Sequence, residues 1–332
     1  MDFLLNIDLK KHPQPIRYTD KILLMGSCFT EHIGNALAEL KFEVLQNPNG
    51  ILFGPDAVCK SLMACIHNKP YRSGDLFQLN EVWHSWNHHS RFSATSESVV
   101  LDQINASQQR AHAFLKEANW LLITLGSSFS YELREEADKA SLKINEGVAN
   151  CHRAPAGWFN KRMLETDEIV QMLTDCFQSL RKFNPALQII FTISPVRHIR
   201  DGVVENNRSK ARLIEAVHQI IAGEPDTFYF PAYELVIDVL RDYRFYDIDL
   251  VHPNYPATEY VLEKFTSTCI SGEAQQLMAA IRPLVIARKH RPFQPDTSAH
   301  KQFLQTCLEK ANLLKNKYPF LQLEEELKYF SQ

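Results

Sequence analysis

The chain has 332 residues, 45% of them hydrophobic and 23% charged, with a formal net charge of −3. That is enough apolar material for a full core, which excludes a disordered chain, and the charge balance offers no pull on nucleic acid or anionic lipid. No apolar run nears the roughly 20 residues that cross a bilayer, and Met1-Asp2-Phe3-Leu4-Leu5-Asn6 lacks the basic start and long apolar core of a signal peptide, so a cytoplasmic protein with no nucleic-acid or membrane partner is expected.

In chain order, Lys21-Ile22-Leu23-Leu24-Met25 reads as a buried strand, and Thr30 to Leu40, with Ile33, Leu37 and Leu40 on one side, as the helix after it. Phe42 to Leu45 is a short second strand. Tyr71 to Ser98 is an insertion in which Leu76-Phe77-Gln78-Leu79 and Val82-Trp83-His84-Ser85-Trp86 flank Asn80-Glu81 like a hairpin. Trp120 to Leu125, Gln188 to Ile193 and Thr227 to Phe230 complete a set of five strands, and helical patterns fill 56–66, 99–117, 164–182, 208–222 and 257–266. Strands that are apolar without alternation are covered on both faces, so strands alternating with helices predict a doubly wound α/β core on a parallel sheet. After Ser271 only helices follow, at Glu273–Arg288, His300–Asn316 and Leu321–Phe330. The expected organisation is one α/β domain over 1–270, with the insertion 71–98, and a helical appendage over 271–332. The basic stretch Arg288-Lys289-His290-Arg291 reads as a solvated turn.

Ser27 falls in the turn between the first strand and its helix, where backbone N–H groups and the positive helix end favour a developing oxyanion. The structural alternative is that Gly26 makes the turn and Ser27 caps the helix. Asp249-Leu250-Val251-His252 lies before a helix, and in Asp-x-x-His the carboxylate can hold one imidazole nitrogen so that the other faces outward as a base. Here too a surface aspartate and a solvated histidine are the alternative. The seven cysteines form no Cys-x-x-Cys pair and read mostly as buried thiols; Cys28, beside Ser27, is an alternative nucleophile.

The runs Gly26-Ser27-Cys28-Phe29-Thr30, Asn47-Pro48-Asn49-Gly50, Asn150-Cys151-His152, Ser194-Pro195-Val196-Arg197-His198 and Asp242-Tyr243-Arg244-Phe245-Tyr246 through His252-Pro253 resemble the GSCFA domain family, over roughly residues 20–265. That family looks like a branch of the SGNH, or GDSL-like, hydrolases. The resemblance implies a flavodoxin-like α/β/α sandwich with a five-stranded parallel sheet, and an esterase-type site with Ser27 as nucleophile, His252 as general base and acid, and Asp249 as its orienting group. It also implies an oxyanion hole from the N–H groups of Ser27 and Gly50 and a third donor. The chain departs from the superfamily there, because Gly126-Ser127-Ser128 stands where an Asn belongs; Ser127, Ser128 or Asn150 is the candidate donor.

Trp86, His88 and His89 in the insertion are candidates to line a substrate mouth, with Trp83 or Trp86 stacking on a sugar. His152, Arg197 and His198 follow core elements where ligands gather in open α/β sheets, and a structural role suits each equally well. The adjacent His88-His89 pair aside, the histidines show no ligand spacing, so neither metal nor cofactor is expected. The expected partner is a small-molecule or carbohydrate ester, and the oligomeric state is open. An esterase acting on an O-acyl, such as O-acetyl, ester is the leading expectation, with an O-acyltransferase using the same triad and a non-catalytic carbohydrate-binding module as alternatives.

Overall fold

The computed structural model describes residues 5–134 and 147–332. Strand β1 (Lys21–Gly26) feeds helix α1 (Cys28–Glu39), then β2 (Glu43–Gln46) and α2 (Pro55–His67). The insertion is a hairpin, β3 (Phe77–Leu79) and β4 (Val82–His84), followed by α3 (Glu97–Glu117). Its turn residues, Asn80 and Glu81, both take left-handed backbone, at φ 49° and 65°, the combination that a two-residue hairpin turn needs to match strand twist. Next come β5 (Trp120–Leu125), β6 (Phe129–Leu133), β7 (Phe159–Met163), α4 (Thr166–Phe183), β8 (Gln188–Ile193), α5 (Val203–Gly223) and β9 (Thr227–Tyr229). The chain then runs through α6 (Ala232–Glu234), which continues as a wider helix over Leu235–Leu240, to α7 (Tyr255–Cys269), α8 (Gly272–Lys289), α9 (Ser298–Lys317) and α10 (Glu324–Phe330).

The fold is α/β. Five strands in the order β2-β1-β5-β8-β9 pair in parallel; counted within the sheet this is the 2-1-3-4-5 order of flavodoxin-like proteins. Side-chain alternation sorts the strand residues onto two cores. Leu24, Leu122 and Ile190 pack with Phe29, Ile33 and Leu37 of α1 and Val261 and Phe265 of α7. Leu23, Met25, Leu121, Ile123, Ile189 and Phe191 pack with α2, α3, α4 and α5 on the other side. Both faces are buried, which is why these strands read as unbroken apolar runs. Because all five strands are parallel, the turns after β1, β5 and β8 emerge at one rim.

The second antiparallel pair, β6 with β7, and the 232–240 helix were not expected. Phe129, Tyr131 and Leu133 do alternate with Ser130 and Glu132, but β7 reads Phe-Asn-Lys-Arg-Met and its middle residues face solvent.

The last helices are not detached from the sheet. Leu277, Met278, Ile281 and Val285 of α8 join the core around α1 and α7, while Leu284 and Ala287 meet Cys307, Ala311 and Phe330 of α9 and α10. The basic stretch expected to be a solvated turn is partly a clamp: Arg288 Nε lies 3.0 Å from the fully buried Glu326 carboxylate, which also takes Lys41 Nζ at 2.9 Å, and Lys289 pairs with Glu39. Glu326→Ala leaves two cations without that partner, although exposed Glu325 still reaches both. The expected loss is about 2 kcal/mol, below the usual figure for breaking a buried pair, read by urea denaturation; an unchanged midpoint counts against the clamp. Among the described residues no helix is long and apolar enough to cross a membrane.

Candidate functional site

Gly26 ends β1 at φ 146°, and a Cβ there would collide with the Thr124 carbonyl oxygen. Only glycine lets the two strand ends approach so closely, and this places Ser27 directly at the entry of α1. Ser27 occupies the N-cap position with φ −68° and ψ 173°, yet its hydroxyl makes no capping bond. Its Oγ is buried and unpartnered, and the residue is 4% exposed. The side chain is thus spared from the structural job that the cap alternative gives it. Cys28 is a weaker candidate: burial outweighs the N–H groups of the first turn and raises its thiol above the ordinary value, so the thiolate is disfavoured.

The Asn47–Gly50 turn closes beside this point. Asn47 Oδ1 accepts from Gly26 N at 2.9 Å, and Gly50, at φ 85°, lies flat against the His89 side chain, so that a Cβ on Gly50 would collide with it. The hairpin insertion is therefore seated on the turn next to Ser27. His88 is fully buried between Asn49 Nδ2 at 3.3 Å and Ser85 Oγ at 2.9 Å, and burial pushes its pKa down to about 3. With an NH2 group on Nε2, the neutral ring accepts there and donates from Nδ1. Trp86 is 1% exposed and stacked on Phe77 with centroids 3.7 Å apart. Neither Trp86 nor His88 is at solvent; Trp86 joins Phe77, Leu133, Val148 and Phe159 in a small core that ties the insertion to β6 and β7. His89 is half-buried, and its Nδ1 accepts from Arg91 N at 3.3 Å.

At the other end of the chain, Asp249 Oδ2 accepts from His252 Nδ1 at 2.7 Å, and Asp249 Oδ1 accepts from the Val251 and His252 backbone N–H groups at 2.9 and 3.0 Å. Those bonds, the His252 backbone first, hold the carboxyl down at about 2. Leu250, at φ 59°, turns the loop so that residues three apart meet. The imidazole therefore carries its proton on Nδ1, and Nε2 has no partner among the described residues. Arg197 braces this loop: its N–H donates to Val251 O at 3.3 Å, and its guanidinium lies 4.3 Å from the Tyr246 ring centre. That contact ties the loop to the rim at the end of β8. Ser27 Oγ and His252 are not hydrogen-bonded to each other.

The expected oxyanion donors are mostly engaged. Ser27 N donates to Thr124 O at 3.2 Å and Gly50 N to Asn47 O at 2.8 Å. Ser128 gives its N–H and its hydroxyl to Ser209 Oγ at 2.8 and 3.1 Å, and Ser127 N bonds Phe53 O. Asn150 is held by its Oδ1, which accepts from His152 N at 2.8 Å, and its amide nitrogen has no partner among the described residues. His198 Nε2 donates to Gly126 O at 3.0 Å, and burial lowers the ring to about 4.

One residue of this region escaped the sequence reading. Lys210 of α5 is 1% exposed, and its Nζ donates to Gly126 O and Ser194 O, both at 2.6 Å, tying together the turns after β5 and β8. Its spacing with Asn206, Leu213, Val217 and Ile220 puts it on the buried stripe of α5, a charged residue at a core phase, and that was the available signal. Among the described residues no three His, Cys, Asp or Glu side chains are grouped to hold a metal ion.

The GSCFA family matches residues 21–265, and the GSCFA domain protein, C-terminal domain, matches residues 281–332. No curated protein sequence matches the chain. Among solved structures, a carbohydrate esterase family 3 protein from Talaromyces cellulolyticus is similar over 80% of this chain and 99% of its own, at 10% identity and a TM-score of 0.33.

Proposed function

The chain belongs to the GSCFA family, and we propose that it is an SGNH-type serine esterase with Ser27 as nucleophile, His252 as base and Asp249 as the group that orients His252. The observation that carries this reading is the His252–Asp249 pair. A carboxylate 2.7 Å from Nδ1 fixes the tautomer and leaves a lone pair on Nε2, which is the form a base must have to take a proton from an alcohol. The Ser27 hydroxyl supports it from the other side, since it is committed to no other hydrogen bond. Contacts between nucleophile and base often tighten only once substrate is in place.

In the reaction, Ser27 Oγ bonds to the ester carbon as its proton passes to His252 Nε2. The Asn150 amide and the Ser27 N–H, released from Thr124, face the resulting oxyanion. The ester C–O bond then breaks, the leaving alcohol takes the proton from His252, and water repeats the cycle on the acyl-enzyme. The substrate is an O-acyl ester, with a carbohydrate as its alcohol. If a bound alcohol displaces water at the second step the same groups perform acyl transfer, and a transfer product formed faster than free acid distinguishes the two.

Asp249→Asn keeps an acceptor for the two backbone N–H groups but loses the charge that stabilises an imidazolium. In a buried triad this change costs about 10⁴-fold; here both side chains are nearly half exposed, water shares the task, and about a hundredfold fall in kcat with little change in KM is expected on a p-nitrophenyl ester. A wild-type rate in this variant counts against the dyad.

A binding module without chemistry is the second reading, favoured by the closed position of Ser27 Oγ. It predicts no labelling of Ser27 by a fluorophosphonate together with retained sugar binding.

A further inference from the structure

The oxyanion of the proposed reaction is short of donors. Ser27 N bonds Thr124 O, Gly50 N bonds Asn47 O, Ser127 N bonds Phe53 O and Ser128 N bonds Ser209 Oγ. His89 carries an uncommitted donor and stands beside the same turn. Two bonds fasten that turn to the residue before Ser27: Asn47 Oδ1 accepts from Gly26 N at 2.9 Å, and Leu52 N donates to Gly26 O at 3.0 Å. Gly50 lies between these contacts in the chain, and the His89 Cβ is the atom that a Cβ on Gly50 would strike. The seat is held by His89 N, which donates to Asn49 O at 2.9 Å, and by Arg91, which pairs with Glu31 of α1 at 3.0 Å and donates to Asn47 O. On its other side His89 is close enough to His152 that a charge on one ring disfavours a charge on the other. It therefore stands between the Gly50 turn and the segment that carries the Asn150 amide.

The ring is a donor at Nε2. Its Nδ1 accepts from Arg91 N at 3.3 Å, and a neutral imidazole that accepts at one nitrogen carries its proton on the other. Nε2 has no partner among the described residues, and the residue is only half-buried, so this N–H is not sealed in the core as the Ser27 hydroxyl is. Burial first, and Arg91 second, hold the ring below its ordinary pKa, with Glu31 opposing them, so the neutral form prevails at pH 7 and above. A fixed N–H dipole in a partly desolvated site, aimed where negative charge develops, is what stabilises a transition state without reorganising.

We infer that His89 is a catalytic residue of this site, whose Nε2–H donates to the oxyanion formed when Ser27 attacks the ester, the task for which the engaged Gly50 N–H is not free. The proton stays on Nε2 throughout. The bond strengthens as the carbonyl π pair moves onto oxygen, and weakens again when the ester C–O bond breaks and the carbonyl re-forms. This role rests on the esterase reading above.

The test is steady-state hydrolysis of p-nitrophenyl acetate by the full chain and three variants, with inhibition by a trifluoromethyl ketone, which an active serine converts to a tetrahedral oxyanion. His89→Ala keeps the Cβ that rests on Gly50 and the backbone bond to Asn49 but loses the donor. Its kcat falls about a hundredfold with little change in KM, and the ketone binds more weakly by a similar factor. His89→Asn keeps an acceptor for Arg91 N, as in an Asx turn, but has no N–H at the Nε2 position, so it stays as slow as His89→Ala. His89→Gln places an amide N–H near that position and recovers at least about tenfold. A residue that only held the insertion in place would give the opposite order, with asparagine close to wild type. That order, a full rate in His89→Ala, a raised KM at unchanged kcat, or a glutamine variant no faster than alanine overturns the inference; if Ser27→Ala still abolishes hydrolysis, the esterase reading survives it. A wild type with no hydrolysis that depends on Ser27 overturns the esterase reading and this role with it.

Discussion

Ser27→Ala lowers kcat/KM for hydrolysis of a short acyl ester by about 10⁴-fold or more, abolishes labelling by a fluorophosphonate, and leaves the protein as stable as before. The size of the first effect follows from the proposed reaction, in which this atom forms the covalent bond: without a nucleophile only binding and oxyanion stabilisation remain, and in serine hydrolases those supply a small residue of the total rate. The third result separates chemistry from folding. Ser27 Oγ makes no hydrogen bond and no capping contact, so its removal forfeits nothing and relieves a buried unpaired hydroxyl, a change worth about 1 kcal/mol at most in the favourable direction. A serine that served as an ordinary cap would show the reverse pattern, with unchanged rates and a loss of about 1 kcal/mol. His252→Ala should match Ser27→Ala in rate, because in the proposed triad nucleophile and base act as one unit and their losses do not add. Equal rates in wild type and both variants would end the esterase assignment.

Stability cannot be used in the same way at Gly26. A side chain there meets the Thr124 carbonyl, which is backbone and cannot give way, at a φ that L-residues avoid. Gly26→Ala is expected to fail through folding, so the Ser27 and His252 variants carry the argument.

The parts of the fold that were legible are those whose cause is local. Unbroken apolar runs such as Trp120–Leu125 and Gln188–Ile193 mark strands covered on both sides, and the observed strands have those same bounds. Helix starts slipped where the first turn is polar or exposed: α5 begins at Val203, not near residue 208, because Val203 and Val204 face solvent and break the apolar stripe. The Asp249–His252 pair was readable because a single left-handed residue, Leu250, is all that the chain needs to bring positions three apart together. Roles set by partners far away in sequence were not. Ser128 is fixed by Ser209, 81 residues on, and His88 by Asn49, 39 residues back. Trp86 stacks on Phe77 within the insertion, but its burial is completed by Leu133, Val148 and Phe159, which come much later in the chain.

Lys210 is the clearest case, and it makes a prediction of its own. Replacing it with methionine should flatten the dependence of stability on pH between 7 and 10. Full burial, with no carboxylate beside it, lowers the ammonium from 10.5 to about 7, and the nearby Cys28 offsets this only in part. A neutral amine has two N–H groups, and Gly126 O and Ser194 O take both, so the uncharged form is fully used by the fold. Between pH 7 and 10 the unfolded chain therefore holds a proton at this position that the folded chain does not, and unfolding becomes harder as pH rises. From those two pKa values the wild type gains about 3 kcal/mol over that window relative to Lys210→Met. Below pH 7 both states are protonated and the difference levels off. The variant also loses the two bonds to the carbonyls, but that cost is the same at every pH, and the comparison of slopes removes it along with the titration of all other groups. Urea denaturation at pH 7, 8.5 and 10 measures the effect. Parallel curves for the two proteins would mean that the ammonium stays charged, with a third donor bond or an anion near the turns after β5 and β8, and the rim that carries Ser27 would then be held by a charge and not by a neutral pair of hydrogen bonds.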